Sequence, residues 1–326
     1  MKSLDRRTFL ITTTALAAGS FGGLAQAQAF PDRPLRIVIP FATGGPTDTM
    51  TRLLASKMAE VLGQQIIAEN KPGAGGNIGA EHVARSTPDG YTMLMGTNGT
   101  LAANPSLFER LSYDPTKDFT PIGLFTFQPN MLAVHPSVPA KNVSELIAYL
   151  KSNPNASFAS GGLGTSTHFA GELFKIMAGV QMEHIPYKGD GQSVPDVIAG
   201  NVPIIFCSVL AGMKWLESGK LRGLGVTSAT RVPVVSQLPS IAEAGLPGYD
   251  LTSWYAVVAP AGTPQSTIAS LNNALNKAIE NPDLKSRIEA MGGILAGGPP
   301  ERLTELMRVE APRWAKLVSD AKMKRL

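Results

Sequence analysis

Pro40-Phe41-Ala42-Thr43-Gly44-Gly45-Pro46-Thr47-Asp48 is the stretch that decides how this chain is read. The apolar run Leu35 to Ile39 before it reads as a buried strand. After it, Met50, Leu54, Met58 and Val61 fall on one helical face, and the pattern stops at Gly63. The stretch is therefore a strand–turn–helix junction. Gly44 and Gly45 let backbone approach a ligand, and the helix start offers free N–H groups and a positive dipole end to an anion. A plain helix cap on a tight turn explains the same residues.

The pattern repeats along the chain. A short strand, Gln65 to Ala68, leads to the glycine-rich loop Asn70 to Asn77, which lacks the Gly-Lys-Ser/Thr ending of a phosphate-binding P-loop. A helix from Ile78 to Ser86 and a strand from Tyr91 to Met95 follow. That strand runs into Gly96-Thr97-Asn98-Gly99-Thr100, rich in small polar groups. Further on, Phe158 to Ser160 is a strand, followed by Gly161-Gly162-Leu163-Gly164-Thr165-Ser166-Thr167-His168 and a helix to Met177. This is the same device as at 40–48. One such junction can be a simple cap, whereas two facing each other make an anion clamp. Ligands of open α/β sheets sit beyond the carboxyl ends of strands, so these loops should share one crevice.

Alternating strands and helices predict an α/β protein with mainly parallel sheets. Phe119 to Thr126 and Leu251 to Ala259 read as extended connectors, with Asn130 to His135 as a separate strand. Two connectors imply that the chain crosses between two lobes twice: 30–126 with 249–326, and 127–248. A helix is expected from Ser193 to Ala199 and another from Leu210 to Ser218. The C-terminal helix, Glu301 to Ala321, should kink or break at Pro312.

With 326 residues, 44% of them hydrophobic, the chain can build a substantial core. Lys2, Arg6 and Arg7 against Asp5 give the first 29 residues +2 of the formal net charge of +4. The remainder is nearly balanced and lacks the clustered basic face that nucleic acid requires. Residues 1–29 read as an export signal, with Ala27-Gln28-Ala29 as the cleavage site. Arg6-Arg7-Thr8-Phe9-Leu10 resembles a twin-arginine signal, and an ordinary secretory signal is the alternative. Its apolar segment is too short for a membrane span. Cys207 is the single cysteine, far from that signal, so neither an internal disulfide nor a lipid anchor is expected.

Catalytic and cofactor constellations are not found. His82, His135, His168 and His184 lack metal-ligand spacing, and Ser166-Thr167-His168 is not a nucleophile elbow. No cofactor or metal is expected. His168 reads as a surface or packing group, and Cys207 as a small buried one. Asp48 either complements the helix dipole, or serves a ligand by fixing the loop or meeting a donor on it. Phe41, Phe125, Phe127, Tyr187 and Trp254 together suggest an apolar wall beside a few polar groups.

Ordered motifs across the mature chain resemble one family. They are Pro-Asp-Arg-Pro-Leu-Arg at 31–36, Pro-Phe-Ala-Thr-Gly-Gly-Pro-Thr-Asp at 40–48 and Glu-Asn-Lys-Pro-Gly-Ala-Gly-Gly-Asn-Ile-Gly at 69–79. To these add Pro-Asp-Gly-Tyr-Thr at 88–92, Gly-Thr-Ser-Thr-His at 164–168, Pro-Tyr-Lys-Gly at 186–189 and Leu-Pro-Gly-Tyr at 246–249. The chain resembles the Bug extracytoplasmic solute receptors, the binding proteins of tripartite tricarboxylate transporters. The resemblance implies a two-lobed type II periplasmic binding fold, a small carboxylate as ligand, the transporter's membrane subunits as partners and a periplasmic location. It also places the carboxylate between 44–48 and 164–167. Thr43 stands where many relatives have Pro, and Cys207-Ser208 where they often have Asp-Asn.

The expected ligand contacts are Phe41, Gly44, Gly45, Thr47 and Asp48; Thr97 and Asn98; Asn130; Gly164, Thr165, Ser166 and Thr167; Tyr187; and Ser208. No catalytic residue is expected, nor membrane insertion, and the chain should act as a monomer. The competing roles are a ligand-sensing module for a membrane kinase and an exported enzyme of the same shape.

Overall fold

The computed structural model describes residues 30–323 and Arg325, so residues 1–29, read above as an export signal, lie outside the described residues. Ten strands are present: β1 (Leu35–Ile39), β2 (Ile66–Asn70), β3 (Thr92–Thr97), β4 (Phe119–Val134), β5 (Ser157–Ser160), β6 (Glu183–Pro186), β7 (Ile204–Ser208), β8 (Arg222–Val226), β9 (Thr252–Pro260) and β10 (Ile294–Leu295). They form one continuous sheet in the order β2-β1-β3-β9-β4-β7-β5-β6, with β8 and β10 also on β4. β1 pairs in parallel with β2 and β3, and β5 in parallel with β6 and β7. Helices cover these two parallel sets.

Both expected connectors are sheet strands. Phe119 to Thr126 and Asn130 to His135 fuse into the 16-residue β4, which runs antiparallel to β9 and then to β7. Pro121 and Pro129 lie within this segment, and proline donates no ladder hydrogen bond. β9 bridges them, with register shifts between Pro121 and Gly123 and between Leu124 and Thr126. Bulges of this kind absorb an extra residue without ending the strand.

The first long helix, Pro46–Leu62, starts and stops where the periodicity places it. Gly63 closes it in the left-handed conformation, its N–H bonding to the Ala59 carbonyl. Met50, Leu54 and Met58 are buried against Leu35 and Ile37 of β1 and Leu271 and Leu275 of the helix Gln265–Glu280. Each such side chain contributes roughly 1.5–3 kcal/mol by leaving water. A second core joins Met131 and Ile205 to Val194 and Val197 of the helix Asp190–Ile198.

The largest core cluster spans both parallel sets and includes Trp254 and Trp314. Trp314 meets Phe169 edge-on, 4.7 Å between ring centres. It belongs to the helix Pro300–Asp320, which runs through Pro312 without the expected break. The N–H that Pro312 lacks would have bonded Arg308, and both residues are exposed, so water can take that carbonyl.

Candidate functional site

Four helix starts open onto one cleft of about 660 Å³. They are those of Pro46–Leu62, Ser166–Ala178, Asp190–Ile198 and Val209–Glu217, and their cap residues Gly45, Thr165, Gly189 and Ser208 all line it. A more open groove of about 720 Å³ lies elsewhere, between Val232–Val234 and Ile279–Glu289, without such convergence.

At the first start Gly45 is extended and makes no side-chain cap. Pro46 has no N–H, and the Thr49 N–H makes the first helical bond, to Gly45. Helix geometry therefore leaves the Thr47 and Asp48 N–H groups without an intrahelical acceptor. Gly44 has φ +85, the left-handed region that favours glycine. Its N–H donates to Asp48 Oδ2 at 3.0 Å. Asp48 Oδ1 accepts from Arg52 at 2.9 Å and Asn70 at 2.9 Å, and the Asn70 amide also holds the Phe41 carbonyl. Burial raises the Asp48 pKa, but the bonds from Arg52, Gly44 and Asn70 outweigh it and hold the group below the ordinary carboxylate value.

At the second start the Thr165 hydroxyl accepts from the His168 N–H at 3.3 Å and donates to the Gly162 carbonyl at 2.7 Å. Thr167 Oγ1 accepts from the Gly161 N–H at 2.9 Å. The N–H groups of Ser166 and Thr167 are left without helical partners. Behind this loop His168 is buried, and its Nδ1 accepts from the Gly164 N–H at 3.2 Å. Its ring stacks on His184, 3.9 Å between centres. His184 Nε2 bonds Ser160 Oγ at 2.6 Å, and that oxygen accepts the Gly162 N–H at 3.1 Å. Burial, then His184 and Lys175, pull the His168 pKa down to about 3. Burial and then Lys175 bring His184 to about 4. Of the two roles expected for His168, surface or packing, it takes the packing one: it is buried and braces the loop at Gly164.

The last two helix starts meet at Asp190. Its Oδ2 accepts the Ser208 N–H at 3.0 Å and the Ser208 hydroxyl at 2.6 Å. Burial raises the Asp190 pKa, with the Ser208 bonds opposing. Tyr255 is raised by burial and, further, by Asp190.

Of the expected contacts, Phe41, Gly44, Gly45, Thr47, Thr97, Asn98, Asn130, Gly164, Thr165, Ser166, Thr167 and Ser208 line the cleft. Two do not. Asp48 is tied into the loop behind it. Tyr187 turns its hydroxyl to Asp196. The aromatic wall is corrected as well. Phe125 and Trp254 are fully buried in the core, and Phe127 packs against the core next to a separate hollow by Trp314. Only Phe41 of that set reaches the cleft.

Gln128, Asp190, Ser253 and Tyr255 line it without having been anticipated. Ser253 and Tyr255 share one face of β9 and Trp254 the other, as strand alternation requires. Asp190 lies before the helix expected from Ser193 to Ala199. Its helix begins there rather than at Ser193, and an acidic residue after Gly189 was the available signal.

A family profile, the tripartite tricarboxylate transporter family receptor, matches residues 50–321. The chain belongs to this receptor family. A UPF0065 protein of Pseudomonas sp. strain P51 is 37% identical over 325 residues, 99% of this chain and 96% of its own. Among solved structures, an R. palustris protein with adipate has a TM-score of 0.82 at 37% identity, covering 90% of this chain and 98% of its own. The periplasmic binding protein BugD has a TM-score of 0.80 at 34% identity, covering 91% and 100%. The receptor family accounts for the α/β architecture with its two parallel strand sets. Among the described residues no helix is long and apolar enough to cross a membrane.

Proposed function

We propose that this receptor is exported with residues 1–29 removed, captures a small carboxylate in the cleft, and delivers it to a membrane permease. The carrying observation is the convergence of helix starts from both strand sets on a cleft where, among the described residues, Lys188 is the single lining cation and is exposed. Backbone N–H groups of Thr47, Ser166 and Thr167 are the proposed anchors. The adipate of the R. palustris relative supports the ligand class.

Micromolar affinity requires about 8 kcal/mol net. A hydrogen bond to a charged group contributes roughly 1.5–3 kcal/mol. One helix start falls short after the cost of association is subtracted. Both are needed, and so the lobes 30–126 with 249–326, and 127–248, should close on the ligand. The receptor is proposed to work as a monomer without a cofactor.

Calorimetry against mono-, di- and tricarboxylates tests this, with small-angle scattering to follow compaction. Saturable binding with compaction is expected, and turnover of the ligand would instead indicate an enzyme. The intact mass of the exported protein reports removal of residues 1–29. A retained signal or an added acyl mass would overturn that part.

A further inference from the structure

Asp190 sets the cleft a problem that a bare carboxylate does not solve. Its Oδ2 is engaged twice by Ser208, whereas its Oδ1 accepts no hydrogen bond from the described residues. Lys188 is the other charged residue in the lining, and it is exposed and makes no ion pair among the described residues. Asp190 is half-buried, so water can reach Oδ1 in the open cleft, and a ligand that displaces this water must bring a donor of its own or leave the acceptor unpaired.

The location of Asp190 fixes where that donor must be. A Cβ on Gly161 would lie 3.4 Å from Thr167 Oγ1 and 3.5 Å from Asp190 Oδ1. The two side chains therefore border the same small gap, which Gly161 leaves open. Thr167 belongs to the second helix start, so the gap that Asp190 borders adjoins the proposed carboxylate anchor.

We propose that Asp190 selects a carboxylate bearing a hydrogen-bond donor, ammonium or hydroxyl, on the adjoining carbon. This rests on the carboxylate-receptor reading above. Either donor would complete the coordination of Oδ1, and ammonium would also neutralise it. An unsubstituted acid that fills the gap displaces water from Oδ1 and supplies no donor in its place. Ser208 is a positioning residue here: its two bonds hold Oδ2 and aim Oδ1 into the cleft.

The test is calorimetry on matched triplets: succinate, malate and aspartate; glutarate, 2-hydroxyglutarate and glutamate; 3-phenylpropionate, phenyllactate and phenylalanine. In at least one triplet the substituted acids should bind tenfold or more tightly than the bare one. The hydroxy and amino members separate the two donors. Asp190→Asn keeps an oxygen for Ser208 and turns the open acceptor into a donor. It should bring the preference within about threefold of unity while the bare acid binds as well or better. A general loss of packing would weaken all members alike and leave the ratio unchanged. Equal binding within every triplet by the wild type, or a preference that survives Asp190→Asn, overturns the proposal and leaves the receptor reading standing. Failure of every carboxylate to bind overturns both.

Discussion

The Asp48 carboxylate accepts the Gly44 N–H from behind the turn, 3.0 Å away, and so fixes the glycine loop instead of touching the cleft. An acid three residues into a helix would repel an anion bound there. Here its charge is absorbed by Arg52, Asn70 and Gly44.

Replacing it by alanine should therefore act through the loop. Asp48→Ala strands several donors and should cost about 1–3 kcal/mol, read as a lower urea midpoint. Ligand affinity should fall with it. Because the folded pKa is depressed, the stabilisation is present above the ordinary value of 3.8 and is lost as pH falls through the folded value. Wild type and variant should thus converge in stability at the acid end. A difference that persists there would contradict this account.

Gly45→Val should fold and bind poorly. Gly45 has φ −78, which valine adopts, and a Cβ there meets nothing closer than the Ala42 carbonyl at 3.7 Å. The added side chain stands at the first helix start. Losing the Thr47 anchor there should weaken binding on the order of tenfold to a hundredfold. Ser166→Ala should cost less, since it removes only the acceptor of Asn130 and keeps the backbone N–H. Calorimetry on both, with the order reversed, would exclude the backbone clamp.

Lys188→Ala should change affinity only a few-fold, and less at high salt, because an exposed cation is screened. Abolished binding would mean that a salt bridge anchors the ligand.

The stacked histidines predict acid lability. The unfolded chain takes up protons near 6.5, whereas the folded rings resist to about 3 and about 4. Unfolding within that window binds protons, so stability should decline as pH falls from 6.5 toward 4. His184→Gln should show a shallower decline in urea midpoints measured at pH 7, 5.5 and 4.5. An identical slope would remove His184 from the explanation.

Much of this was written locally in the chain. Leu35–Ile39, the glycine pair and the Met50-Leu54-Met58 face specify a strand, turn and helix without reference to anything distant. The same holds for 158–177, where Thr165 caps the helix through its own neighbour His168. These devices also name most of the cleft, since a helix start exposes its N–H groups wherever it is placed.

The sequence by itself determined which loops could hold an anion; the tertiary structure alone decided which side chains join them. Phe127 and Trp254 sit opposite each other on β4 and β9, on the faces turned from the cleft, while Gln128, Ser253 and Tyr255 turn toward it. An extended segment carries a period of two but no label for which face is inward. That label comes from the partner strand and from the helices packed on the other side. Asp190 and Ser208 lie 18 residues apart and follow β6 and β7, which both flank β5 in the sheet, and this brings two helix starts to one point. No local pattern encodes that distance, since it is set by sheet order and by the burial of the two cores.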